Sequence, residues 1–318
     1  MAVTVFFATS GFLVAGSLLT KRNLTEFFVS RALRIYPGLW VAVIGSVLAF
    51  GFFVTKLSSS AFFSERSTWR YLLTNMAMLG RETFVLPGVF QHLPAGEAVN
   101  GSLWSLPVEI RMYLLLGAGW WLCARASKVP AVWAGRLITA IAVTSLVGYS
   151  AFWWRNRAGY VTYDAPWFSE LTAAFFCGAV LRVFQHRIPA TRLLFFVSIA
   201  LMALGAVFQI FAPVYAILFA YPVLYLALVP RGPLLAFNQF GDYSYGIYIY
   251  AFAVQQTVVW CVPGITPLPL IGVSFVITLT CAVASWHWVE KRALRLRKLL
   301  PSQAALVAPA RVGVQRSA

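Results

Sequence analysis

Long apolar runs, each about 17 to 25 residues, alternate along this chain with short clusters of arginine, lysine, glycine and proline. A run of that length crosses the hydrocarbon core of a bilayer as a helix. Nine can be read, at 3–19, 37–54, 102–123, 133–154, 168–184, 190–211, 213–229, 240–260 and 268–288. The stretch from Trp69 to Gly80 is too short to span and fits a re-entrant or interfacial segment. The pattern predicts an all-α polytopic membrane protein, a bundle of nine visible transmembrane helices.

Composition agrees. The 318 residues are 60% hydrophobic and 11% charged, with a mean hydropathy of +0.78, whereas a soluble domain carries roughly a quarter charged residues. No internal repeat or second domain is visible, so residues 1–299 read as one membrane domain and 300–318 as a disordered cytoplasmic tail. The net charge of +16 could suggest nucleic acid, but basic residues that punctuate apolar runs more simply record topology, and no nucleic-acid partner is expected. With nine alternating spans and a cytoplasmic C-terminus, most of the 25 lysines and arginines fall inside, among them Lys21, Arg22, Arg31, Arg34, Arg125, Lys128, Arg136, Arg182, Arg187 and Arg192; Lys56, Arg66, Arg70, Arg81, Arg155 and Arg157 fall outside. The same topology puts Met1 on the outer face with no flanking segment, so a preceding helix is expected. The cysteines Cys123, Cys177, Cys261 and Cys281 match no metal or redox spacing and read as packing residues.

One span departs from apolarity. Asn100-Gly101-Ser102-Leu103-Trp104-Ser105-Leu106-Pro107-Val108-Glu109-Ile110-Arg111-Met112-Tyr113 carries a carboxylate and a guanidinium into the third run. A charge at bilayer depth costs about 2.5 to 3.5 kcal/mol, so it faces protein or water. Glu109 is therefore either a functional carboxylate or a buried tie between helices. As a functional group it should face a polar cavity reached from the outer side, with Asn100, Ser102 and Ser105 lining it and Trp104 offering an aromatic face to a sugar or an adenine. Other tryptophans cluster near span ends, as interfacial belts do. His92, His186 and His287 fall in loops or at a helix end, and His287 and Glu290 are close enough in sequence to pair.

Four motifs in order carry a resemblance across almost the whole chain: Val5-Phe6-Phe7-Ala8-Thr9-Ser10-Gly11-Phe12-Leu13; Phe28 to Pro37 with Arg31 and Arg34; Asn100 to Glu109; and Gly241-Asp242-Tyr243-Ser244-Tyr245-Gly246-Ile247-Tyr248, with Ser285 to Glu290 closing the last helix. Together they resemble the acyltransferase 3 family of bacterial membrane proteins. The resemblance implies ten helices, one more than is visible. It also implies transfer of an acyl group, most often acetyl, to hydroxyls of surface or lipid-linked carbohydrates at the bacterial inner membrane.

No bound cofactor is implied; acyl-coenzyme A enters as co-substrate. Arg31 and Arg34 share a helical face at the cytoplasmic mouth, where guanidinium groups suit donor phosphates. The family's candidate base is a histidine of its first helix, which this chain does not contain, leaving Glu109 as the visible catalytic candidate. Ser10 and Gly11 lack the surroundings of a serine nucleophile and read as packing residues, and Asp242 reads as a cap. The chain departs from the family in having no histidine shortly after Tyr248 and no proline after Glu290. Two other readings stand beside the enzyme: a transporter or flippase of a lipid-linked glycan, and a shortened, inactive acyltransferase.

Overall fold

The computed structural model describes residues 2–157, 167–229 and 241–299. The predicted tail at 300–318 and Arg231 lie outside them. The described residues are all-α apart from one isolated bridge between Val85 and Ala98. The helices are α1 (Ala2–Lys21), α2 (Leu24–Phe53), α3 (Ser59–Ser64), α4 (Arg66–Ala77), α5 (Leu106–Ala126), α6 (Pro130–Arg157), α7 (Trp167–Val183), α8 (Arg192–Val207), α9 (Phe211–Leu218), α10 (Ala220–Leu228), α11 (Ser244–Cys261), α12 (Pro267–Ser285) and α13 (Lys291–Arg295). Each of the nine expected spans coincides with helix. Among the described residues, five stretches are both long and apolar enough to cross a bilayer by themselves; α5, α7, α8 and α11 are shorter or more polar. The protein is an all-α polytopic membrane protein.

Several boundaries differ from the hydropathy reading, each for a physical reason. The second run was expected from 37, yet α2 starts at Leu24, where the Asn23 side chain caps the Glu26 amide at 3.1 Å. Glu26, Arg31 and Arg34 depress hydropathy over this stretch, but tertiary partners accommodate two of them: Arg297 bonds Glu26 at 2.8 Å, and Arg34 meets Asp242 at 2.6 Å. The exposed apolar stripe of α2, from Trp40 to Phe53, matches the expected run. The seventh run divides into α9 and α10 at Phe219. Pro222 has no amide hydrogen to offer the Leu218 carbonyl, so the ladder is interrupted there.

The segment expected to be re-entrant or interfacial folds back along α2. The Phe62 ring packs on Gly51 near the far end of α2, whereas Trp40 Nε1 donates to the Met76 carbonyl at 3.2 Å and Tyr36 to Ala77 at 3.4 Å. Gly51 and Trp40 lie about 16 Å apart along a helix, so α4 runs that far back into the bundle. The return segment carries Phe90 against Phe50 and leads to a 3₁₀ turn, Gly101–Ser105, that feeds α5. Irregular backbone at membrane depth is tolerated where protein buries it, and Asn100, Leu103 and Ser105 are all buried.

The tightest crossing joins α1 to α7. A methyl group at Gly11 would lie 1.8 Å from the Phe175 carbonyl oxygen, and one at Gly178 would lie 2.0 Å from that of Ala8. Small residues let membrane helices meet backbone to backbone. The packing role expected of Gly11 is met there.

Candidate active site

The site forms where α1, α2, α5, α11 and the end of α12 converge. Its levels follow from the antiparallel packing of α2 and α5: the Phe28 ring lies against Gly117, and Glu109 precedes Gly117 by about 12 Å of helix. That displacement brings Glu109 level with the Arg34 region of α2. Tyr113 is one turn from Glu109 on α5, its hydroxyl donates to Glu109 Oε1, and the same hydroxyl lies 3.3 Å from Ser10 Oγ on α1. Glu109 is 3% exposed, and both Arg31 and Arg34 are within electrostatic range of its carboxylate. Helices α1 and α5 are thus joined by a polar chain through an otherwise apolar core.

Arg34 is the hub of a second cluster. Its guanidinium meets Asp242 at 2.6 Å and Glu290 at 3.8 Å, and lies 5.7 Å from the Tyr245 ring centroid and 6.0 Å from that of Trp286. Glu290 is 2% exposed; one carboxylate oxygen accepts from Ser285 Oγ at 2.8 Å, and the other has no hydrogen bond. The backbone delivers Glu290 through a π turn, Trp286–Glu290, that follows α12. Such wide turns are rare and are often found at functional sites. Tyr245 anchors α11 by donating to the Ile35 carbonyl of α2 at 2.7 Å.

Arg31 differs from Arg34. It is partly buried, and its Nε has no hydrogen-bond partner. The two arginines expected to act alike therefore stand in different environments: one is held by two carboxylates, and the other carries an unsatisfied donor.

The remaining expected residues are placed as follows. Asn100 donates to the Ile249 carbonyl at 2.8 Å and accepts from the Ser102 amide at 3.1 Å, while Ser105 shares a hydrogen bond with the Tyr248 hydroxyl. Ser102 and Trp104 are partly buried, and Trp104 packs against the core. These residues bind the 3₁₀ turn to α11; Asn100, Ser105 and Glu109 are buried rather than open to a cavity on the outer side. Arg111, read beside Glu109 as an intramembrane charge, is exposed and lies against Gly80. Its Nη2 occupies the space a Cβ at Gly80 would need, at 2.1 Å, and Gly80 itself adopts a φ of +82°. His287 is exposed and lies 3.4 Å from the Tyr243 hydroxyl, not on Glu290. Asp242, expected as the cap, lies one residue before the N-cap Tyr243 of α11; it accepts from the Ser244 amide at 3.3 Å and also serves Arg34.

Sequence reasoning missed the roles of Tyr113, Ser10, Tyr248 and Glu290. Tyr113 was legible, because a position four residues on shares the helix face of Glu109. Ser10 and Tyr248 act across the bundle and had no local signal, and Glu290 was marked only as a neighbour of His287, whereas it bonds Ser285 and meets Arg34.

Comparison with known proteins places the chain in a family. The model of the acyltransferase 3 family, described as an acyltransferase domain, matches residues 1–287. The chain belongs to that family and is an acyltransferase. It is similar to an O-acetyl transferase of Shigella phage Sf6, with 29% identity over 308 residues covering 92% of this chain and 84% of the relative. It is also similar to Nodulation protein 10 of Rhizobium leguminosarum bv. viciae, with 28% identity over 331 residues covering 96% and 85% respectively. No solved structure matches the chain.

Proposed function

We propose that this membrane acyltransferase moves an acetyl group from acetyl-coenzyme A to a hydroxyl of a cell-surface or lipid-linked carbohydrate, in the bacterial inner membrane with its C-terminus cytoplasmic. The observation that carries the donor assignment is Arg31: a guanidinium with a buried, unsatisfied Nε beside a second arginine. An unpaired donor of this kind is costly to bury, and a phosphate oxygen satisfies it with a charge-assisted bond. Arg34, oriented by Asp242 and Glu290, supplies the neighbouring charge. The printed name of the phage relative, an O-acetyl transferase, supports acetyl as the group carried. The sidedness rests on the distribution of lysine and arginine.

In the transfer, the acceptor hydroxyl oxygen bonds to the thioester carbonyl carbon, the carbon–sulfur bond breaks, and the hydroxyl proton ends on the released thiolate. Glu109 is the candidate to carry that proton, with Tyr113 fixing its carboxylate. A positioned base typically contributes about 10²- to 10⁴-fold.

The test uses the full chain in proteoliposomes for acetyl-coenzyme A binding, and in its host for surface O-acetyl groups. Replacing both Arg31 and Arg34 by lysine preserves charge but removes bidentate geometry, so donor affinity and O-acetylation should both fall while membrane insertion persists. Glu109→Gln should retain donor binding and lose O-acetylation. Full O-acetylation in the double lysine variant rejects the donor assignment, and full O-acetylation in Glu109→Gln rejects the base.

A further inference from the structure

We propose that the groove between the N-terminal half of α6 and the C-terminal end of α7 binds one anionic glycerophospholipid, its phosphodiester headgroup held by Arg136 and Arg187 and an acyl chain lying along the groove. The groove encloses about 920 Å³ and is walled by apolar or small side chains, including Val132, Ala140, Val143 and Val183. It adjoins an inner apolar cavity of about 480 Å³, with which it shares Thr139 and Val143. Thr139 turns its hydroxyl onto its own helix at Gly135, 2.9 Å away, and so presents no free polar group to the groove. The floor therefore suits a hydrocarbon chain.

Charge decides which lipid. The two charged groups on the groove are guanidiniums, one from α6 and one from the turn that follows α7, brought to one end because α6 and α7 pack antiparallel, with Val183 against Gly135. Each lies near an aromatic ring close in sequence: Arg136 is 4.7 Å from the Trp133 ring centroid, and Arg187, in the turn after α7, is 5.9 Å from that of Phe184. Among the described residues neither has an ion pair. Arg125, Lys128, Arg182 and Arg192 belong to the same end of these helices. Between positions 110 and 241 the acidic residues are Asp164 and Glu170 alone, and Glu170 sits in the first turn of α7, at the end opposite the groove's arginines. A cationic end whose two arginines have no ion pair among the described residues, beside a hydrocarbon groove, fits an anionic headgroup attached to a chain; basic pockets between membrane helices bind such headgroups.

The test is native mass spectrometry of the full-length protein released from bilayers of phosphatidylglycerol, of phosphatidylcholine, or of an equal mixture. Phosphatidylglycerol should be retained selectively. The Arg136→Gln/Arg187→Gln double variant should bind it roughly 30-fold more weakly, from about fivefold per guanidinium near a surface. Ala140→Trp, which fills the groove but keeps both arginines, should also lose the lipid. Glycerol phosphate at millimolar concentration should not displace it, since a free headgroup lacks the chain. Equal retention of the two lipids, unchanged retention in the double variant, or displacement by glycerol phosphate would each overturn the proposal. A folded state is verified separately by the melting temperature of each variant.

Discussion

The Tyr113 hydroxyl donates to Glu109 one helical turn away, giving a buried carboxylate its partner within the same helix and extending that partner to Ser10 on α1. Removing the hydroxyl in Tyr113→Phe leaves Glu109 buried with its bond unmade, a cost of about 1 to 3 kcal/mol. The melting temperature in detergent should fall accordingly. Ser10→Ala, which removes only the outer link at 3.3 Å, should cost less than Tyr113→Phe; equal losses would show that the chain acts as one unit.

The two carboxylates on Arg34 should differ sharply in their contribution. Glu290 is 2% exposed and accepts from Ser285, so replacing it removes a buried polar group whose loss typically costs about 1 to 3 kcal/mol. The Asp242 side chain is 53% exposed, and solvent-screened pairs contribute about 0 to 1 kcal/mol. Thermal unfolding of Glu290→Gln against Asp242→Asn measures the difference, and the reverse order would place the structural charge on Asp242.

Asn100 uses both ends of its amide in a buried position. Asn100→Asp keeps the acceptor that caps the 3₁₀ turn but sets a carboxylate against the Ile249 carbonyl. It should therefore destabilise more than Asn100→Ala, the opposite of the order expected from capping alone. Folded yield after detergent extraction reads out the order.

At the α1–α7 crossing, Gly11→Ala and Gly178→Ala each place a methyl group within about 2 Å of a backbone carbonyl oxygen, where no side-chain rotation can relieve the clash. Both should abolish folded yield or shift the melting temperature strongly downward. Gly45→Ala on α2, with nothing near the new methyl group, should be neutral or slightly stabilising, since alanine favours the helix by about 1 kcal/mol.

The sequence by itself determined the class of molecule. Spans in a bilayer must be long and apolar, so hydropathy alone located helix at all nine expected positions, and the ordered motifs carried the family across nearly the whole chain. It also marked Glu109, because a carboxylate within an apolar run is conspicuous. What it left open was which charges meet. Arg31 and Arg34 look equivalent in a local reading, yet the approach of Asp242 and Glu290, more than 200 residues away in sequence, pairs one and leaves the other with an unsatisfied nitrogen. Hydropathy likewise began α2 too late, since it scores a charge as if it faced lipid, whereas Arg297 and Asp242 compensate two of those charges. The polar residues before Glu109 read as a cavity lining but are satisfied by α11. Burial and hydrogen-bond satisfaction belong to pairs of groups, and only the tertiary structure decides which groups become pairs.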